Sequence, residues 1–125
     1  MATTSIRWGR VVLGGFLAEL LLIVAVIPLQ ATGSGQTAIS VLAVVGSFLA
    51  FALVAWSLCR SVARPILHGV LMGVAGAAIY TLIGEVARLF VPDTPPIPLI
   101  YYFAHLLKLV GGAAGARLAQ RRAIA

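Results

Sequence analysis

Uncharged, strongly apolar stretches alternate with short polar breaks along this chain, at intervals suited to membrane-crossing helices. From Leu20 to Cys59 there is no Asp, Glu, Lys or Arg. That run is too long for one crossing of about 20 residues and suits two. Its middle, Gln30-Ala-Thr-Gly-Ser-Gly-Gln36, follows Pro28 and has the chemistry of a turn, so the run divides there. The first helix is expected over about 8–29, opening at Trp8. The second begins near Thr37, read as its N-cap, and runs to about 59. Arg60 and Arg64 then precede Pro65, whose fixed φ suits the first turn of a third helix over about 65–90. Val91–Pro98 carries four prolines in eight positions, which removes backbone donors and enforces an extended connection. A fourth helix is expected over about 99–116, followed by a tail holding Arg117, Arg121 and Arg122. The predicted fold is all-α: one transmembrane domain built as a four-helix bundle.

Composition narrows the alternatives. The chain is 62% hydrophobic and 10% charged, against a soluble norm of roughly 45–50% and about 25%. A compact soluble domain of 125 residues would bury only about two-thirds of its surface, and 12 charged residues are too few to dress the rest. Disorder is excluded as well, since it requires low hydrophobicity. The first apolar run has one rival reading, a cleaved export signal, because Arg7 and Arg10 precede it and Leu29-Gln30-Ala31 has the form of a cleavage site. The run exceeds the usual signal core of about 7–15 residues and Glu19 interrupts it, so a retained helix is expected.

The formal net charge of +6 first suggests an acidic partner, but the positions of the basic residues give it another meaning. With alternating helices, Arg7, Arg10, Arg60, Arg64, Arg117, Arg121 and Arg122 all fall on one side, and the opposite loops hold no basic residue. Under the positive-inside rule both termini are cytoplasmic. The localisation that follows is a bacterial inner membrane, multi-pass. Nucleic acid is not needed to explain these arginines; the bilayer is the expected partner, with Arg117, Arg121 and Arg122 each gaining about 1 kcal/mol from anionic headgroups. Trp8 and Trp56 at one boundary, and Tyr101 and Tyr102 at the other, are read as headgroup anchors.

Helices in lipid associate chiefly through close approach at small residues. Gly69, Gly73, Gly76, Tyr80, Gly84 and Ala87 share one face of the third helix, and Gly111 and Gly115 form a GxxxG pair on the fourth. Ser40, Ala43, Ser47, Ala50 and Ser57 make a small stripe on the second. These faces are expected to pack helices two to four together, and a glycine-rich face also offers a homodimer surface.

Chemistry concentrates at two charges. Glu19 lies nine residues beyond Arg10 and Lys108 nine before Arg117, so helical rise puts both about 13–14 Å from the arginine boundary. A lone charge at that depth costs at least about 2.5–3.5 kcal/mol, so the two are expected to face inward and meet. Tyr101, His105 and Lys108 share one face of the fourth helix and continue to Gly112 and Gly115. Two readings follow, the structural one taken first and the transporter as its alternative. In one, the pair is a structural pin fixing which helices face each other, in a structural or accessory module. In the other, Glu19 exchanges a proton or counter-cation, Lys108 tunes it, and His105, Tyr80 and Tyr101 bind or relay, as in a small proton-linked transporter of a cationic or small polar solute. Glu85 and Arg88 are expected to form a surface pair. His68 reads as an interface residue and not a ligand, since no second ligand is spaced to join it, Asp93 as a solvated turn residue and Cys59 as a small buried thiol. No nucleophile elbow, HExxH or phosphate-cradling loop is present, so no enzyme, metal or cofactor is expected.

Leu13-Gly-Gly-Phe-Leu-Ala-Glu19 resembles the first helix of the small multidrug resistance transporters, dimeric four-helix proteins whose first-helix glutamate binds protons and cationic drugs. The resemblance covers about a tenth of the chain, and only Glu19 carries over. The chain departs from that family at Arg60-Ser-Val-Ala-Arg64-Pro65, in the glycine and aromatic pattern of the third helix and at Lys108. Over its whole length it is similar to small four-helix bacterial membrane proteins of unassigned activity, with an Arg-x-x-Leu-Gly-Gly first helix and a Lys-Leu-x-Gly-Gly-Ala last helix.

Overall fold

The computed structural model describes residues 5–124, all of whose regular structure is helical. Four helices follow one another: α1 (Trp8–Ala31), α2 (Gln36–Leu58), α3 (Pro65–Phe90) and α4 (Leu99–Ile124). Each is long and apolar enough to cross a membrane.

Three boundaries differ from the sequence expectation. First, α1 continues through Gln30 and Ala31, with Pro28 inside its last turn. The end is closed by Thr32, whose backbone N–H and hydroxyl both donate to the Pro28 carbonyl, at 3.0 and 2.9 Å. Gly33 then turns the chain with φ +68°, a left-handed conformation that favours glycine. Second, α2 is preceded by Gly35 in extended conformation, not by Thr37. Third, α4 does not stop at Ala116 but runs to Ile124. Arg117–Ile124 contains no glycine or proline to end it, and membrane thickness limits the length of a crossing, not of a helix.

The helices surround a common axis in the order α1, α2, α4, α3. The broadest interfaces join α4 to α2 and to α3; α1 packs on α2 and α3, while α2 and α3 meet narrowly. Among the described residues, α1 and α4 make no close backbone approach, so they stand diagonally opposite.

Glycines set these contacts. A Cβ on Gly69 would strike the carbonyl of Gly112, and one on Gly112 the carbonyl of Gly69, so α3 and α4 touch backbone to backbone. A Cβ on Gly73 would lie 2.7 Å from the Leu109 backbone. Gly111 and Gly115 press instead on the Phe48 and Ala52 carbonyls of α2. Such approach maximises dispersion and weak Cα–H···O contacts where lipid supplies no hydrophobic drive. The small-residue stripes are only partly used. Among the described residues, nothing lies within 4 Å of a Cβ on Gly84, so the stripe is not used for close packing there. On α2, Ser47 is buried, whereas Ser57 is exposed and bonds back to the Leu53 carbonyl.

The arginine-bearing end is stitched by polar contacts. Arg10 donates to the Leu58 carbonyl at 3.1 Å and to Ser61 Oγ at 2.8 Å, satisfying a carbonyl at the end of α2. Trp56 carries the guanidinium of Arg60 at 4.2 Å and that of Arg122 at 5.3 Å from its ring centre. His68 is fully buried, its Nε2 accepting the Arg7 backbone N–H at 3.0 Å while Nδ1 lies 2.8 Å from the Arg64 carbonyl. Since an N–H can only donate and a carbonyl only accept, the ring proton sits on Nδ1, and the neutral imidazole ties the start of α1 to the start of α3. Cys59 is buried here too, and burial, opposed by the Arg10 charge, pushes its thiol up to about 11.

The glycine contacts predict a graded response. Gly112→Val meets backbone that cannot yield and should cost about 3 kcal/mol, the upper end for overpacking. Gly84→Ala has open space and should be neutral or gain up to about 1 kcal/mol of helix propensity. Unfolding in detergent followed by circular dichroism measures both; equal effects would contradict this packing.

Candidate functional site

Glu19 on α1 and Lys108 on α4 project toward the axis from opposite corners of the bundle. Both are almost fully buried, with 3% and 2% of their surface exposed. Lys108 Nζ donates to Glu19 Oε1 in a charge-assisted hydrogen bond. Lysine has the reach for this span, and the pair joins two helices whose backbones do not touch.

The surroundings hold the ammonium from other sides. Lys108 Nζ lies 4.9 Å from the ring centre of Tyr80 and 5.8 Å from that of Phe51, within range of attraction by the aromatic faces. Gly76 explains how Phe51 gets there. A Cβ at Gly76 would collide with the Phe51 ring and lie 3.1 Å from Glu19 Oε1. Thus Gly76, placed by its sequence on a packing stripe, makes room for the pair. Tyr80 in turn stacks on Tyr101 (6.3 Å between centroids, 15° between planes) and meets His105 edge-on (5.1 Å, 64°). His105 Nδ1 is buried and has no hydrogen-bond partner among the described residues.

The two sides of the pair differ. Toward the arginine end the bundle is closed: a Cβ on Gly15 would lie 2.8 Å from the Gly76 nitrogen, and one on Gly14 would lie 2.5 Å from Met72 Sδ. Toward the other end lies a cavity of about 340 Å³ whose wall includes Glu19, Ser47, Tyr80, Tyr101, His105 and Lys108. It extends along the apolar faces of α1 and α2 as far as Gln30 and Ile39. It lies beyond the glycine contacts that draw α1 and α4 onto α3, which end at Gly76 and Gly73.

The structure therefore brings together Glu19, Lys108, His105, Tyr80 and Tyr101. Tyr101 is turned inward onto Tyr80, so of the two tyrosines read as headgroup anchors Tyr102 is the exposed one. Ser47 lines the chamber and Phe51 packs beside the ion pair, and the sequence singled out neither for that place. Ser47 appeared only in a small-residue stripe, and Phe51 carries no signal in an apolar helix. Glu85 and Arg88 form an exposed i, i+3 pair at 3.4 Å, away from the chamber. Among the described residues no three His, Cys, Asp or Glu side chains gather as metal ligands would. Comparison with protein-family models, curated proteins and solved structures finds no match, so the chemistry of the site rests on its geometry.

Removing one member of a buried pair strands the other charge, whereas removing both does not. Lys108→Met should cost about 3–5 kcal/mol in detergent unfolding at neutral pH, and Glu19→Gln with Lys108→Met markedly less than that single change. A double variant as unstable as the sum of its singles would show that the groups do not interact.

Proposed function

We propose that this chain is a multi-pass protein of a bacterial inner membrane with both ends on the cytoplasmic side, and that the Glu19–Lys108 chamber is the solute site of a small transporter. Clustering of Arg7, Arg10, Arg60, Arg64, Arg117, Arg121 and Arg122 at one end supports the orientation. Arg117 and Arg121 are exposed there and suit anionic headgroups, while Arg122 also rests on Trp56.

The single observation that carries the solute site is the asymmetry about the ion pair. Glycine-mediated packing lies on its arginine side and a cavity on the other. A pin alone needs no cavity beside it, and an intramembrane ionisable group next to one is the usual mark of a solute or proton path. The local resemblance of Leu13–Glu19 to the small multidrug resistance transporters points the same way. In this reading Glu19 is the exchangeable acceptor, Lys108 its resident counter-charge, and Tyr80, Tyr101 and His105 contact the solute. A second reading, a structural or accessory module pinned by the pair, is favoured by the lack of any other close approach between α1 and α4.

Accessibility separates them. In a Cys59→Ser background, Ala43→Cys, half-buried on the cavity wall, should react with a membrane-impermeant thiosulfonate added outside spheroplasts, as should the loop control Ser34→Cys. Ala18→Cys, at a fully buried position, should not react from either side. Labelling of Ser34→Cys without Ala43→Cys would remove the solute site and leave the pin.

A further inference from the structure

The charge content of the chamber restricts what it can hold. Its buried ionised groups are one carboxylate and one ammonium, already paired, so the site by itself is neutral overall. A lone cation would have to share Glu19 with Lys108 and leave a buried net charge of about +1; a lone anion would leave about −1. Either burial is opposed by the same desolvation that forces Glu19 and Lys108 together. A zwitterion escapes this penalty. Its ammonium meets Glu19, its carboxylate meets Lys108, and four alternating charges replace two with no change in net charge.

The capacity for such an exchange is present. Lys108 spends one of three ammonium protons on Glu19 Oε1, and the carboxylate has a second oxygen. The tyrosine pair and the Ser47 hydroxyl stand on the same wall, and His105 Nδ1 is a buried polar atom without a partner. Beyond this polar floor the cavity is apolar, walled by Leu22, Val26, Ile39 and Ala43, and its 340 Å³ lies at the small end of ligand sites, which span about 300–1,000 Å³.

We infer that the Glu19–Lys108 chamber binds a small net-neutral zwitterion with an apolar body, of the amino-acid class, which inserts into the ion pair. This rests on the solute-site reading above and names its ligand class.

Three probes of one shape but different charge test it: L-phenylalanine, 2-phenylethylammonium and 3-phenylpropionate, titrated at pH 7 against the full chain in lipid nanodiscs, with binding read by calorimetry. Wild type should bind phenylalanine at least tenfold more tightly than either singly charged probe. Lys108→Met, whose site carries an unpaired carboxylate, should reverse the order in favour of the cation. Glu19→Gln should favour the anion, and the double variant should flatten the differences. Each variant is first shown to be monodisperse and helical. The double variant, which strands no charge, keeps the comparison informative if a single one does not fold.

Wild type binding the cation as tightly as phenylalanine overturns the inference. So does a wild type that binds none of the probes while Lys108→Met binds the cation, an outcome that leaves a solute site with a different selectivity. If no probe binds wild type or any folded variant, the solute-site reading fails together with the inference.

Discussion

An ion pair stretched across the diagonal of the bundle is the constraint around which this structure is organised. Glu19 and Lys108 sit on the two helices that share no close backbone approach, and their hydrogen bond links these helices directly. In lipid each charge alone is costly, so the rotation of α1 and of α4 about their own axes is fixed by the need to present these side chains inward. Once both rotations are fixed, the neighbours follow. Gly14 and Gly15 of α1 face Met72 and Gly76 of α3, and Gly112 of α4 faces Gly69.

Glycine and charge thus act as complements. Close approach at Gly15, Gly69, Gly73 and Gly112 draws the arginine-side half of the bundle tight, and the cation–π and hydrogen-bond contacts of Trp56, Arg10 and His68 close that end. Beyond Gly76 α3 makes no further glycine contact of this kind, and Gly84 faces open space. A chamber is left on one side of the pair, floored by the bundle's two buried charges and walled by the tyrosine stack.

The helix count was legible because polar breaks interrupt apolar runs, and the shared depth of Glu19 and Lys108 followed from helical rise counted from the flanking arginines. The inward faces were much less legible, for a physical reason. In water, the buried face of a helix is the apolar one; in lipid both faces are apolar. Val11 is fully buried and Leu13 half exposed on the same helix, with nothing in their chemistry to separate them. Only charged and small residues break that symmetry, which is why the ion pair and the glycine faces could be read while Phe51 could not. Even small residues mislead where no helix closes on them, as at Gly84. Tyr101 illustrates the same limit: an amphipathic ring near a helix end suits the headgroup level or an interior stack equally, and Tyr80 decides it. His68 escaped because both its partners are backbone groups, which no side-chain pattern announces.

The most direct test of the central claim is charge reversal, with stability measured by unfolding in detergent micelles. Glu19→Lys alone and Lys108→Glu alone each place two like charges at the axis and should each be severely destabilising. Combined in one chain they restore an opposite pair, and the double variant should recover most of the stability lost in either single one. A double variant at least as unstable as the worse single variant would mean that α1 and α4 are not joined through these side chains, and the account of the bundle and its chamber would be wrong.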